Sequence, residues 1–360
     1  MNKETVAFLT SAYKEYYFKK ADGIEFPPEI QAREFGYIPF GGSMIRHLAF
    51  NSTGEAVVEL VRQAPSSAYC SNARYTAPTL PIEEKGWLGA ELIFDIDATD
   101  IPTQCKKTHD IWFCESCFAK GRLPAPATCP SCRGALQELR GTCDDCLEAA
   151  KQHALRVVDF LTNDFGVAAD SIRTYFSGSR GFHLHVFDRR FDLLDQLGRA
   201  EVADYVRGTS LPASNTIWAS LRHTVPNSGE LKGWMGRIAS ALGFVPGESG
   251  QQRKSVAQAI ASQSARIDSS VTTDIHRVFR LAGTLHGTSG MLKMRVNPTR
   301  SFDPTSDPVV LSGEDVRLKV SFYPAFRMKG ETFGPYRSET VSLPTYAAIG
   351  ILTRGLAEVS

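Results

Sequence analysis

The sequence predicts a mixed α/β fold of the α+β kind: a mixed-sheet core interrupted by a metal-binding module and by a helical subdomain. Three observations carry this. Short runs rich in β-branched and aromatic residues lie at 91–97, 171–176 and 182–187 and read as strands. Seven of the eight cysteines crowd between Cys105 and Cys146, which marks an insertion with its own chemistry. From 190 to 265 the pattern turns helical, with polar, Gly- and Ser-containing breaks at 208–216 and 226–233. The expected division is therefore a core in three pieces (1–104, 147–190 and 266–360), a zinc-binding insertion at 105–146 and a helical insertion at 191–265.

A chain of 360 residues has ample material for a buried core. Charged residues make up 22% and net to +1, so bulk electrostatics favours neither nucleic acid nor a membrane surface, and any anion-binding surface must be local. No apolar run approaches the roughly 20 residues of a membrane helix, and the first residues lack a signal-peptide pattern. An intracellular protein without membrane partners is the expectation.

Residues 3–20 carry Phe8, Leu9, Tyr13, Tyr16 and Tyr17 at helical spacing, and Pro27-Pro28 end that element. Arg33–Tyr37, a Gly41-Gly42 turn and Arg46–Phe50 read as strand, turn, strand. Arg46 and His47 are cationic enough for phosphate, although isolated residues of this kind are more often plain surface groups. Residues 55–63 read as a helix, and Pro65, Pro78 and Pro81 mark loops before Trp87.

The strand Glu91–Asp97 carries two carboxylates at i, i+2. Side chains alternate along a strand, so Asp95 and Asp97 share one face. Two like charges held side by side call for a cation between them, and Mg²⁺ or Mn²⁺ held by carboxylates and substrate phosphates fits that need. A strand end whose acids are simply solvated is the bland alternative.

In the cysteine block, Cys114-x2-Cys117, eleven residues, then Cys129-x2-Cys132 have zinc-ribbon-like spacing. Around them stand Cys105, His109, Cys143 and Cys146. Seven cysteines and one histidine make two four-ligand sites: an outer zinc on Cys105, His109, Cys143 and Cys146, and an inner one on Cys114, Cys117, Cys129 and Cys132. A single zinc with spare thiols is the alternative. Closed four-ligand sites leave no position for chemistry, so the expected role is structural.

Residues 146–165 read as a helix stopped near Gly166. Then comes a strand, the turn Ser177-Gly178-Ser179-Arg180-Gly181 and a second strand with His183 and His185 on one face. The glycines let the backbone turn sharply, and Arg180 offers a forked donor for a phosphate oxygen. A decorated hairpin would leave the same pattern. Gln251–Ser255 reads as a solvated face. Asp268 is the candidate third carboxylate; Asp274, in the first turn of a helix expected from about Thr272 and carrying His276, Arg277 and Arg280, is its competitor. Met291–Val296 reads as a strand, and the chain closes with Leu343-Pro344-Thr345-Tyr346 and a short helix ending at Arg354–Glu358.

Set side by side, these segments resemble the catalytic (small) subunit of archaeal and eukaryotic DNA primases, the archaeal form more closely. The matching stretches are Arg33–Tyr37, Arg46-His47, Leu92–Asp97, the knuckle running into Cys146–Ala150, Ser177–His183, Ile267-Asp268, Arg280–Gly287, Leu343–Tyr346 and Arg354–Glu358. Each is weak alone; their shared order along nearly the whole chain is specific. The resemblance implies a mixed α/β catalytic core with a zinc module and a variable helical insertion. It implies Asp95, Asp97 and Asp268 as the metal-binding triad, Ser177, Arg180 and His183 on the incoming nucleotide's phosphates, and Arg280 and His286 closing on the triphosphate. Glu34 and Arg46 sit where the family approaches the nucleotide.

The implied activity is nucleotidyl transfer: primer synthesis on a single-stranded DNA template from nucleoside triphosphates, during replication. The implied partner is a large subunit carrying an iron–sulphur cluster, and the implied location is cytoplasmic and nucleoid-associated. The family usually shows one knuckle where this chain has three Cys-x2-Cys pairs, so Cys114–Cys117 and Cys143–Cys146 both align with it. The helix that directly follows favours the latter. A stand-alone primase-polymerase or repair polymerase of the same superfamily, and a non-catalytic zinc-ribbon nucleic-acid-binding protein, are the rival readings.

Overall fold

The computed structural model describes residues 1–209, 211, 231–242, 255–297 and 301–360. Two four-stranded antiparallel sheets organise the site. One has the order Val278–Arg280, Ser67–Ser71, Phe35–Ile38, Ile45–Leu48; the other runs Met294–Arg295, Ile172–Phe176, Gly181–Val186, Leu92–Asp97. They meet where Phe279 of the first packs its ring against His183 and His185 of the second, with centroids 6.2 and 5.7 Å apart. The chain leaves the first sheet at Arg280 and enters the second at Met294, so the 281–293 segment bridges both.

Alternation explains the second sheet. Leu92, Phe94 and Ile96 with Phe182, Leu184 and Val186 form its apolar back, covered by the helix Asp144–Asp159 through Leu147, Ala150, Ala154 and Val157. Each of the larger side chains so buried contributes about 1.5–3 kcal/mol, which fixes which face of the strand turns inward. Asp95 and Asp97 are left on the other face. The helix begins with Asp144 and Asp145, favourable at its N-terminus, continues as a π-turn over Phe160–Asp164 and ends at Gly166 (φ +63°).

The N-terminal helix Lys3–Lys19 does more than pack its aromatic face: Tyr13 Oη donates to the His286 carbonyl (3.0 Å) and Tyr16 Oη to that of Gly283 (2.9 Å), tying down the bridging segment. A three-stranded C-terminal sheet (Asp315–Tyr323, Tyr336–Pro344, Ala357–Val359) and the helix Thr345–Leu352 complete that core. Helices Gln196–Arg207, Gly233–Leu242 and Val256–Gln263 join the core behind the carboxylate strand. The breaks expected at 208–216 and 226–233 fall mostly outside the described residues, as do Gln251–Lys254.

Two elements differ from expectation. The closing helix, expected to end at Arg354–Glu358, spans Thr345–Leu352 and gives way to the strand Ala357–Val359. The helix near Asp268 spans Ser269–Thr273, and the residues expected to continue it form the strand Val278–Arg280 instead. Asp268 caps its start, while Asp274 lies beyond its end, with its carboxylate on the His276 amide (2.8 Å). Pairing of Val278–Arg280 with Tyr69–Ser71 supplies hydrogen bonds that override the local helical pattern.

Candidate active site

Register assembles the acidic side of the site. His183 lies opposite Asp95 and Gly181 opposite Asp97. A Cβ on Gly181 would stand 2.0 Å from the Ile96 carbonyl oxygen, so only glycine lets the turn close this tightly. His183 Nε2 is 3.4 Å from Asp95 Oδ1 and Arg180 Nη2 is 3.6 Å from Asp97 Oδ2. The backbone N–H of Asp268 donates to the Asp95 carbonyl (2.9 Å), so a residue far along the chain arrives beside the carboxylate strand.

Two of the three carboxylates are oriented by local donors: Asp97 Oδ1 accepts from the Thr99 amide and hydroxyl (both 2.8 Å), and Asp268 Oδ1 from those of Ser270 (2.9 and 2.7 Å). Burial, then the charges of Asp97 and Asp268, push the Asp95 carboxyl up to about 7. The three groups thus feel one another, and a divalent cation is what would reverse that repulsion. They are spread more widely than the cysteine clusters, the only described groups whose ligand atoms all fall within 4.8 Å.

The opposite side is cationic. Ser177 Oγ accepts from the amides of Ser179 (3.3 Å) and Gly181 (3.2 Å), which shapes the turn and leaves its own proton free to donate. Arg280 Nη1 donates to Ser67 Oγ (2.7 Å), and its guanidinium lies 5.5 Å from the Tyr69 ring centroid. His286 Nδ1 faces the Thr288 amide (3.2 Å). An amide can only donate, so the neutral ring carries its proton on Nε2. Burial, then Arg280, Arg180 and Arg354, hold His286 well below the usual imidazole range. Burial, then Lys293, His185, Arg280 and His286, do the same to His183, whose Nδ1 is buried without a hydrogen-bond partner. The cluster therefore offers guanidinium charge and neutral imidazole donors, a set that suits polyphosphate.

Glu34 and Arg46 form a separate unit. Glu34 is fully buried and receives Arg46 through Nε (2.9 Å) and Nη2 (3.1 Å), with Lys85 Nζ at 2.7 Å. Burial raises its pKa, but Arg46 and Lys85 outweigh that and keep it below its ordinary value. With both oxygens engaged, Glu34 positions Arg46, which keeps a third of its side chain exposed.

Three cations escaped the sequence reading. Lys85 is buried on Glu34. Lys293 is buried between the sheets, with Nζ 2.8 Å from the Arg280 carbonyl and 3.3 Å from His185 Nε2. Burial, then Arg280, push Lys293 down to about 7. Arg354 reaches the His286 neighbourhood from the turn that follows the helix Thr345–Leu352. Lys293 inside the largely apolar run Met291–Val296 was a signal in the pattern itself; Arg354 stood in the closing motif Arg354–Glu358 with no role attached, and Lys85 carries no signal.

The metal clusters fall where the spacing predicts. Cys105, His109, Cys143 and Cys146 form one group and Cys114, Cys117, Cys129 and Cys132 the other. In the inner group each knuckle closes on its first cysteine's carbonyl, through the amides of Phe118 (2.9 Å) and Arg133 (2.8 Å). Sulphur separations of 3.4–3.5 Å are close to the spacing of tetrahedral zinc thiolates. His109 Nε2 faces Cys146 (3.3 Å) while Nδ1 meets Asp110 (2.8 Å), the outer carboxylate that a zinc-bound imidazole needs. Both donor sets fit Zn²⁺.

Paired sheets carrying three acidic groups on one side and clustered arginines on the other define a class of site suited to a nucleoside triphosphate with divalent ions. The comparisons make that class specific. The family model "DNA primase small subunit" matches residues 134–298. The chain is 35% identical to the DNA primase small subunit PriS of Cenarchaeum symbiosum over the full length of both. It is 33% identical to that of Nitrosopumilus maritimus, again over both full lengths, and 30% to that of Archaeoglobus fulgidus over 98% of each. The chain belongs to the archaeal DNA primase small subunit family. Among solved structures, the polymerase domain of Mycobacterium tuberculosis Ligase D in complex with DNA matches 81% of this chain and 84% of its own at 13% identity and a TM-score of 0.38.

Proposed function

We propose that the protein is the catalytic subunit of a heterodimeric primase, joining nucleotides on a single-stranded DNA template during replication. Its partner would be a large subunit carrying an iron–sulphur cluster. The observation that carries this reading is the approach of Asp268 to Asp95, on the strand that also bears Asp97, beside Arg180 and the Arg280 cluster. In the reaction, the 3′-oxygen of one nucleotide bonds to the α-phosphorus of the next. The bond from that phosphorus to the bridging oxygen breaks, its electron pair leaves with pyrophosphate, and the hydroxyl proton passes to solvent.

Asp95, Asp97 and Asp268 would hold Mg²⁺ or Mn²⁺, which supplies a lower pKa for the attacking hydroxyl and charge neutralisation for the leaving group. Ser177, Arg180, His183, Arg280 and His286 would bind and orient the triphosphate, and Arg46, held by Glu34, would meet the rest of the nucleotide. The two zinc ions would be structural.

The test is metal-dependent incorporation of labelled ribo- and deoxyribonucleotides on unprimed single-stranded DNA, alone and with the large subunit. Products from unprimed template support the reading. Extension only from a supplied primer favours a repair polymerase of the same superfamily, and no incorporation rejects the enzyme.

A further inference from the structure

The closing motif around Arg354 and the inner cysteine ribbon have no part in the chemistry above, yet they meet at one place. A groove of about 470 Å³ runs between the ribbon and the body of the protein, within the size range of ligand clefts. The ribbon side is Phe113, Glu115 and Gln137–Arg140; the body side is Arg180, Arg354 and Leu356. The ribbon is docked by Phe113, whose ring packs at a 30° tilt against Phe322 of the C-terminal sheet, centroids 4.6 Å apart. Arg354 is fixed by its own elements: Nη1 donates to the carbonyls of Gly350 (2.7 Å) and Thr288 (3.3 Å). Thr288 in turn donates its amide to His286 Nδ1 (3.2 Å), so Arg354 and His286 are held as one unit.

Arg180 is common to both regions. It stands 3.6 Å from Asp97 and also lines the groove, so the groove opens directly off the phosphate-binding side. The groove's charged residues are three arginines (140, 180 and 354) and two glutamates (115 and 138), and Glu138 is already paired with Arg140 at 3.3 Å. Arg180 is likewise paired, with Asp97, so among the described residues Arg354, on the body side next to His286, carries the guanidinium of the groove that has no carboxylate partner.

We propose that Arg354 is a substrate-contacting residue of this enzyme: with Arg180 it forms a subsite, walled by the inner ribbon, for the terminal phosphates of the triphosphate and for the pyrophosphate that leaves. The inference rests on the nucleotidyl-transfer reading above. It gives the inner metal cluster a function beyond folding, because the ribbon it holds is one wall of the groove.

The experiment is calorimetric titration of magnesium pyrophosphate into the full-length protein, for wild type, Arg354→Gln and Arg354→Lys, with thermal midpoints and nucleoside monophosphate binding measured alongside. Loss of a charge-assisted contact should weaken pyrophosphate binding about tenfold or more in Arg354→Gln. Arg354→Lys should fall between, and monophosphate binding and thermal midpoint should hold. In primer synthesis, Arg354→Gln should raise KM for the triphosphate and relieve inhibition by pyrophosphate. Equal pyrophosphate affinity in wild type and Arg354→Gln, or no pyrophosphate binding by wild type, overturns the subsite. Binding is read without turnover, so inactive wild type would reject the polymerase reading and leave the subsite to be judged on its own numbers.

Discussion

Asp95 is held at odds with its surroundings: it faces His183 from its strand, and burial, then the charges of Asp97 and Asp268, push its pKa up to about 7. Nothing in folding rewards that arrangement, and a cation bound as proposed would relieve it. Asp95→Asn should abolish nucleotide incorporation while stabilising the metal-free protein, by on the order of 1 kcal/mol or more above neutral pH, and so raising its thermal midpoint. A variant that loses activity only because it unfolds would refute this, and midpoints measured in chelator decide it. Glu34 is the opposite case, a carboxylate satisfied by Arg46 and Lys85. Glu34→Gln strands the buried Lys85 charge and should cost about 3–5 kcal/mol in denaturant titrations. A change under about 1 kcal/mol would show that water reaches that pair.

At the scale of elements, the two cysteine clusters are expected to differ in consequence. The outer cluster includes Cys143 and Cys146, at the start of the helix that backs the carboxylate strand. The inner one closes a ribbon attached through Phe113 and Phe322. Metal analysis should find two zinc ions per chain, falling to one in Cys114→Ser with the global midpoint nearly kept. Cys143→Ser should lower that midpoint strongly. One zinc in the wild type would contradict the pairing. Much of this was legible because the rules are local: alternation set Asp95 and Asp97 on one face, and ligand counting separated the two clusters. The helix expected from Thr272 was misread because Asn72, Ser71 and Tyr69, some 200 residues earlier, recruit that segment through hydrogen bonds and strand pairing.

For the whole molecule, the unit that matters is the pair of sheets and the 281–293 segment joining them. The N-terminal helix braces that segment through Tyr13 and Tyr16, and the turn after the helix Thr345–Leu352 delivers Arg354 to it. Both chain ends thus converge on the phosphate side of the site, which the sequence did not foretell. Lys85, Lys293 and Arg354 went unread for the same reason: each acquires its role only when distant segments pack. Among the described residues no helix is long and apolar enough to cross a membrane. Convergence also makes the central claim directly measurable. Crystals soaked with Mn²⁺ and a non-hydrolysable nucleoside triphosphate should show anomalous density between Asp95, Asp97 and Asp268, lost or halved in Asp268→Asn. Manganese bound without Asp268, or no manganese at the carboxylate strand with nucleotide present, would contradict it.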